Sequence, residues 1–398
     1  MSQLSSPPKR LAIVTTVYHH LSHAQHMGDR FLVGYPLEGR WHRPNIKVVS
    51  LYVDQKPEGD QSADRAKEFG FNVYPTVSEA LRCGGGELAV DAILLIGEHG
   101  DYPSNEKSQK LYPRYELFKE CVEVFEADGR CVPIFNDKHL SYSIEKAKEM
   151  VEDAKRLGFP LLAGSSLPVT YRLPEWDLPF GAEIEEALMF GVGGSDAMDY
   201  HAMESMQCIV ERRKGGETGV KAVQLIEGDE VWQAGEDGRW SKELLGAALS
   251  RSDSLMGLSE SDGRTQDILG TGRIRELAEN PSAYFIEYRD GLRATLLILN
   301  GAVKDYCFAA RLKNEPVPQS VQFFVTPGPN VTYSACLMSK AEEMFETGIA
   351  PYPAERTMIV CGMLESCLTS RVQNHERLET PHLEVVYEAP KESQYVKT

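Results

Sequence analysis

The sequence has 398 residues, of which 42% are hydrophobic and 25% are charged, a composition that predicts a globular protein. A chain of this length usually divides into two domains, each with its own core. Its net charge of −17 repels phosphate backbones and anionic lipids, so we expect no nucleic-acid partner and no membrane partner. The segment from Met1 to Lys9 lacks the apolar core of a signal peptide, and we therefore expect a cytoplasmic protein.

Strand-like and helical patterns alternate along the first half of the chain. They predict, in order, strand 11–16, helix 22–33, strand 46–53, helix 63–69, strand 72–74, helix 76–81, strand 89–96, helix 112–128, strand 132–135, helix 143–157 and strand 160–163. Such alternation is typical of an α/β fold, in which helices cover a parallel sheet. We therefore predict a Rossmann-like domain over residues 1–165.

Strand patterns dominate the second half, residues 166–398. They lie at 182–190, 222–227, 284–288, 294–299, 303–312 and 320–326, and helices are predicted near Met198 and from Tyr333 to Thr347. We predict an α+β domain with a large, open, mainly antiparallel sheet. Residues 240–273 are rich in Ser, Gly and Asp, which predicts a surface insertion that is partly mobile.

The segment Asn136-Asp137-Lys138-His139 follows a predicted strand and precedes a helix that leads to the next strand. It resembles the Glu-Lys-Pro segment of the glucose-fructose oxidoreductase and inositol dehydrogenase (Gfo/Idh/MocA-like) family. The resemblance covers the order of elements over most of the chain, and it implies that family's fold with the active site between two domains. It also implies a catalytic role for Lys138, because the family's lysine reaches the reacting carbon. His139 replaces the family's proline.

A second segment, from Asp199 to Glu204, resembles the family's His-x-x-Asp helix, with Glu204 in place of the aspartate. The resemblance implies that His201 donates or accepts a proton. The residue types support these assignments independently. Lysine at the carboxyl end of a parallel strand lies where ligands bind, and His201 and Glu204 share one helix face, so the carboxylate can orient the imidazole. A solvated loop role for Lys138 and a structural role for His201 are the alternatives.

The turn after the first predicted strand departs from the family's pattern. A dinucleotide-binding turn needs Gly-x-Gly-x-x-Gly, because side chains there collide with the pyrophosphate. Residues 15–26 contain no glycine. Asp54 ends the second strand and could meet a ribose, although it lies beyond the usual spacing of about 20 residues from the turn. The sequence therefore argues against NAD(P), which we keep as the alternative cofactor.

Histidines gather instead at predicted strand ends and helix starts. Imidazoles with carboxylates are suitable ligands for Zn, Mn or Fe. We therefore predict a divalent metal site formed by His23, His26, Glu98, His99 and His139. No compact metal-binding spacing fixes this set, and surface or capping roles are the alternative for some of its members.

Four further residues are predicted to bind substrate. Tyr102 and Arg114 belong to the loop and helix start after strand 89–96, and Ser166 and Arg172 lie in the proline-rich crossing between the domains. Polar residues of such loops often contact ligands, and simple solvation is the alternative.

Three functional hypotheses follow from these observations. The first is an enzyme with Lys138, His201 and Glu204 as catalytic groups and a metal that assists non-redox chemistry, as a lyase, isomerase or hydrolase, on a small polyhydroxylated or carbonyl substrate. The second is an NAD(P)-dependent oxidoreductase of the same family. The third is a non-catalytic binding protein.

The open sheet predicted for the second domain must cover its outer face. In the family, that face pairs with another subunit, so we expect a homodimer or a larger homo-oligomer.

Overall fold

The computed structural model describes residues 7–194, 196–254, 263–264, 266–326 and 332–397. Its first half contains these elements: β1 (Lys9–Thr15), α1 (His23–Val33), β2 (Tyr35–Leu37), β3 (Arg40–His42), β4 (Ile46–Val53), α2 (Ser62–Phe69), β5 (Asn72–Tyr74), α3 (Val77–Leu81), β6 (Ala92–Ile96), α4 (Arg114–Asp128), β7 (Ile134–Asp137), α5 (Ile144–Leu157) and β8 (Leu161–Gly164). The predicted elements are all present, and the β2–β3 hairpin is an addition that the sequence patterns missed.

One parallel sheet organises this half, in the order β5-β4-β1-β6-β7-β8. β6 is buried along its whole length, which explains why its sequence is a continuous apolar run rather than an alternating one. α5 ends at Gly158, whose positive φ of 74° terminates the helix. The order reverses between β1 and β6, and open α/β sheets bind ligands at the carboxyl ends of strands at such a point.

The second half contains these elements: β9 (Arg172–Leu173), β10 (Ile184–Gly191), α6 (Asp196–Val210), β11 (Val220–Glu227), α7 (Asp229–Glu236), α8 (Lys242–Leu249), α9 (Ile274–Leu277), β12 (Ser282–Tyr288), β13 (Arg293–Ile298), β14 (Tyr306–Leu312), β15 (Gln319–Phe323), α10 (Thr332–Thr347), α11 (Ala354–Val372) and β16 (Leu378–Glu379). The strands form one sheet in the order β16-β11-β12-β13-β10-β14-β15-β9. β10 and β13 pair in parallel and the other neighbours pair antiparallel, which confirms the predicted fold class.

Helices of the same chain cover both faces of this large sheet. α6 and α11 lie on one face, while α7 and α8 pack their apolar side chains on the other. Trp240 is 2% exposed, and its indole N–H donates to the Val231 carbonyl at 2.9 Å. Residues 240–249 of the predicted insertion therefore belong to this packed layer, and mobility of another part of the insertion stays a prediction. The stretch 255–262 and residue 265 of that prediction lie outside the described residues.

This covering layer also removes the reason for which we expected a dimer. The outer sheet residues Phe190, Phe285 and Leu297 are buried against the α7–α8 segment rather than left for another subunit. The oligomeric state itself stays a prediction.

The two last long helices, α10 and α11, return to the first half of the chain. α10 packs on α1 and on the first sheet, where Leu337 and Met344 join the same apolar core as Ile13 and Phe31. α11, which the sequence patterns missed, contacts both α5 and α6. Residues beyond the predicted boundary at 165 thus complete the core of the N-terminal sheet.

Among the residues that the structure describes, no helix combines the length and the apolar character needed to cross a bilayer.

Candidate active site

A cavity of about 290 Å³ lies at the carboxyl ends of β6, β7 and β8, next to the point where the strand order reverses. α1 contributes one part of its wall, and α6 and α10 contribute others. Its acidic and basic lining residues are His23, His26, Glu98, His99, Asp137, Lys138 and His201. These residues lie far apart in the sequence, and the fold brings them together in one cavity.

Glu98 and Lys138 form a buried ion pair in the cavity. Lys138 Nζ lies 3.6 Å from Glu98 Oε1, and the Arg114 guanidinium donates a hydrogen bond to the other carboxylate oxygen. Burial opposes ionisation of Glu98, but the two cations outweigh it and hold its pKa well below the usual range. A Cβ on Gly97 would lie 2.6 Å from Arg114 Cγ, so only glycine allows this close approach.

Three histidine rings from α1 and the β6 loop form a cluster on the wall. The rings of His23 and His99 meet edge to face, with centroids 4.9 Å apart, and His26 stacks near His23. Burial first, and then the neighbouring His23, lowers the pKa of both His26 and His99 to about 4. Both rings are therefore neutral near pH 7. His26 Nε2 is buried and has no hydrogen-bond partner among the described residues, so it can receive a ligand hydroxyl.

His201 enters the cavity from α6. Its Nδ1 atom is in hydrogen-bond contact with the Ser165 hydroxyl. Burial first, and then the nearby Lys138, lowers the pKa of His201 well below its usual value. His201 is therefore a neutral imidazole next to a lysine at neutral pH.

Glu204 does not hold the imidazole of His201, which corrects the predicted carboxylate–histidine pair. One carboxylate oxygen accepts the Ser165 backbone N–H at 2.5 Å, and the other accepts the Thr357 hydroxyl at 2.9 Å. Burial outweighs these hydrogen bonds and raises the pKa of Glu204 to about 7. A Cβ on Gly164 would lie 2.5 Å from the carboxylate, so glycine is required there. Glu204 thus fixes the segment that carries Ser165, which in turn contacts His201.

The structure does not support the predicted metal site. Within the described part of the chain, no group of three or more His, Cys, Asp or Glu side chains is arranged to hold a metal ion. His139 Nε2 lies 3.3 Å from the Asp196 carboxylate, and the His139 ring packs on Tyr200. Glu98 is engaged by two cations. Glu98 and His139 are therefore paired with other residues, and of the five predicted ligands Glu98, His23, His26 and His99 line the cavity.

Of the four predicted substrate-binding residues, the structure places Ser166 in the cavity wall. The Tyr102 hydroxyl donates to a carboxylate at the end of β4, and Arg114 is buried behind the cavity against Glu98. Arg172 is buried and bonded within the 167–179 connection. Tyr102, Arg114 and Arg172 therefore do not line this cavity, and substrate contacts of these three residues stay a prediction.

Sequence reasoning missed Asp137 as a member of the site. Asp137 is 1% exposed, and its Oδ2 atom lies 2.6 Å from His23 Nδ1. A signal for Asp137 was present, since it directly precedes Lys138 at the carboxyl end of a parallel strand.

No family model matches the sequence, and no curated protein matches it. Solved structures match the fold. GenD2 from gentamicin A biosynthesis, solved with NAD, has a TM-score of 0.55 and 13% identity, covering 95% of this chain and 99% of that chain. The myo-inositol dehydrogenase from Lactobacillus casei, solved with NAD(H) and myo-inositol, has a TM-score of 0.54 and 10% identity, covering 98% and 99%. The myo-inositol 2-dehydrogenase from Lactobacillus plantarum has a TM-score of 0.54 and 11% identity, covering 94% and 99%.

The fold is therefore one that dehydrogenases adopt. More specifically, the chain shares the fold of the Gfo/Idh/MocA-like oxidoreductases, which confirms the resemblance drawn from the Lys138 segment. Of these solved structures, GenD2 contains NAD, and the Lactobacillus casei myo-inositol dehydrogenase contains NAD(H) and myo-inositol.

The loop between β1 and α1 is where this fold normally binds a pyrophosphate. In this chain, the side chains of Ser22 and Gln25 already accept hydrogen bonds from the backbone N–H groups of this segment. The Ser22 hydroxyl accepts the N–H of His19 at 3.1 Å and that of Gln25 at 3.2 Å, and the Gln25 side chain accepts the N–H of Leu21 at 3.0 Å. A pyrophosphate would have to displace these internal hydrogen bonds.

The part of the cleft that would receive the ribose also carries internal hydrogen bonds. Beyond the ends of β1 and β4, the Gln61 N–H donates to the Tyr18 carbonyl at 2.7 Å. Asp54, the candidate ribose ligand, accepts the Tyr102 hydroxyl at 2.5 Å. The residues present therefore do not fit a dinucleotide in the position that this fold provides.

Proposed function

We propose that the chain is an enzyme that transfers protons on a small hydroxylated or carbonyl compound in the cavity, without a dinucleotide. One observation carries this proposal. Lys138 from the end of β7 and His201 from α6, far apart in the sequence, line one cavity of about 290 Å³. Positioned lysine and histidine side chains are the usual groups for general acid–base catalysis.

The surroundings of these two residues suit proton transfer. Glu98 pairs with Lys138 and keeps its amine in place, while the Ser165 hydroxyl holds His201 through Nδ1. Because burial and the nearby Lys138 keep His201 neutral, its imidazole can accept a hydrogen bond or a proton from a ligand hydroxyl.

The remaining lining favours an uncharged, hydroxyl-rich ligand. His26 and His99 are neutral near pH 7 and offer hydrogen bonds without charge. The cavity volume of about 290 Å³ lies just below the range of roughly 300–1,000 Å³ for ligand pockets. This volume suits a compound of one ring rather than a dinucleotide.

A second candidate is an NAD(P)-dependent oxidoreductase. The observation that favours it is the fold shared with dehydrogenases solved with NAD(H) and with myo-inositol or scyllo-inositol. Under this candidate, Lys138 and His201 would bind the substrate hydroxyl and accept its proton, and the β1–α1 loop would have to open.

The experiment that tests these two candidates compares reactions with and without NAD(P). The protein is incubated in D₂O with myo-inositol, scyllo-inositol, aldoses and keto sugars, with or without NAD(P), and products are followed by proton NMR. Turnover or deuterium incorporation without nucleotide supports acid–base catalysis. Turnover that requires NAD(P) supports the oxidoreductase and overturns the first candidate. No turnover under either condition contradicts both and favours a binding protein.

A further inference from the structure

The His23–Asp137 pair lines the same cavity and has no part in the acid–base role proposed for Lys138 and His201. His23 is the first residue of α1, and its side chain is 19% exposed, towards the cavity. Its Nδ1 atom lies 2.6 Å from Asp137 Oδ2. The other oxygen of Asp137 accepts the Lys138 backbone N–H at 2.8 Å. The carboxylate is thus fixed from two sides, and it orients the ring.

We propose that His23 is an additional catalytic base of this cavity and that Asp137 is its positioning residue. This proposal rests on the proposed function, since it assigns a further proton acceptor to the same site. Hydrogen bonding to a carboxylate places the His23 proton on Nδ1 and leaves the lone pair on Nε2. Nε2 has no hydrogen-bond partner among the described residues and is available to a ligand in the cavity.

The step that His23 performs is a simple proton transfer. The Nε2 lone pair accepts the proton of a ligand hydroxyl, or of a carbon next to a carbonyl group, and the electron pair stays on the ligand. Asp137 stabilises the imidazolium that forms, through its hydrogen bond to Nδ1. His201 differs because its Nδ1 contacts the Ser165 hydroxyl rather than a carboxylate. His23 and His201 therefore line the same cavity with different partners.

The surroundings keep the His23 ring in place. The His99 ring meets it edge to face at 4.9 Å between centroids, and the His26 ring lies 6.3 Å away. Both neighbours are neutral near pH 7, as their lowered pKa values of about 4 require. The carboxylate that contacts the His23 ring directly is that of Asp137.

The Asp137→Asn variant gives a sharp test. The Lys138 N–H needs an acceptor, so the asparagine carbonyl should take the place of Oδ1 and its NH₂ group should face His23. That NH₂ group donates to Nδ1 and moves the ring proton to Nε2. The Nε2 atom of His23 then carries a proton and cannot act as a base, while the ring stays in place.

Two measurements determine which ring nitrogen of His23 carries the proton, and neither needs a substrate. Nitrogen-15 NMR of labelled histidine should show His23 with Nδ1–H in the wild type and with Nε2–H in Asp137→Asn. Diethyl pyrocarbonate, which acylates unprotonated imidazole nitrogen, should modify His23 in the wild type and react roughly tenfold or more slowly in the variant, as followed by peptide mass spectrometry. His42, whose Nε2 is held 2.8 Å from Glu342, is the internal control and should react equally in both proteins.

An Nε2–H tautomer in the wild type, or equal His23 modification rates in the two proteins, would overturn the proposal. Because these measurements need no turnover, they are independent of the substrate experiment. A failure of the proposed function leaves the tautomer and the reactivity of His23 unchanged, so the two failures can be told apart.

Discussion

The Tyr102 hydroxyl donates a hydrogen bond to Asp54 Oδ2 at 2.5 Å, and this contact joins the loop after β6 to the end of β4. It occupies the carboxylate that would otherwise bind a ribose in this fold. Gln55 reinforces the contact, because its side chain bonds both the N–H and the carbonyl of Asp101. These contacts therefore hold the loop after β6 against the end of β4, where this fold binds a ribose.

We expect the protein to show no saturable binding of NADH or NADPH up to about 1 mM, a free energy of binding weaker than about 4 kcal/mol. The physical reason is that nucleotide binding would have to break the Asp54–Tyr102 contact and the internal bonds of the β1–α1 loop. Titration calorimetry and nucleotide fluorescence measure this directly. The Asp54→Ala variant is the control and should behave like the wild type. Stoichiometric binding that Asp54→Ala weakens would show that the cleft opens for a dinucleotide.

Changing Lys138 to Met should reduce turnover by roughly 100-fold or more, the usual scale for a positioned proton-transfer group. The fold should persist, because Arg114 still pairs with the buried Glu98 carboxylate. Initial rates with any substrate identified for the protein, together with thermal melting, measure both effects. Lys148→Met, which removes a lysine from the outer side of α5, is the matched control. Normal turnover of the Lys138 variant would show that this lysine is not part of the active site.

Glu204 should make stability fall as the pH rises. Its pKa is about 7 in the folded protein, against 4.5 for an ordinary glutamate, because burial disfavours the carboxylate. Between these values the native state holds more protons than the unfolded state, so the free energy of unfolding decreases with pH. Relative to Glu204→Gln, the wild type should lose about 3 kcal/mol between pH 4.5 and 7.

Urea unfolding of both proteins at several pH values measures this difference. The histidines with lowered pKa act in the opposite direction, and their contribution cancels because both proteins contain them. A difference that does not change with pH would show that Glu204 is ionised in the native protein throughout this range.

The covered outer face of the large sheet leads to an expectation about assembly. Because α7 and α8 bury that face within one chain, we expect a mass near 44.4 kDa at all concentrations in light scattering. A stable mass of twice that value would require another interface. Trp240→Ala, which removes a buried anchor of the layer, should promote self-association by uncovering apolar sheet residues.

The sequence by itself determined the succession of strands and helices in the first half of the chain. Apolar periodicity is a local property, and β6 and α5 carry it clearly. The sequence also located the Lys138 segment at a strand end, from which the fold family followed. It missed α11, which is buried on nearly all sides and therefore has no clear polar face.

Only the tertiary structure decided the partners of the ionisable side chains. His139 pairs with Asp196, Glu204 holds the Ser165 backbone, and Asp137 orients His23, and none of these pairs could be read from spacing. Each contact joins different elements of the fold, and its geometry depends on how sheets and helices pack. Burial, which sets the charge of these groups, is likewise a property of the whole packed chain. The sequence therefore identified the edge of the sheet where the site lies, while packing assigned each side chain its partner.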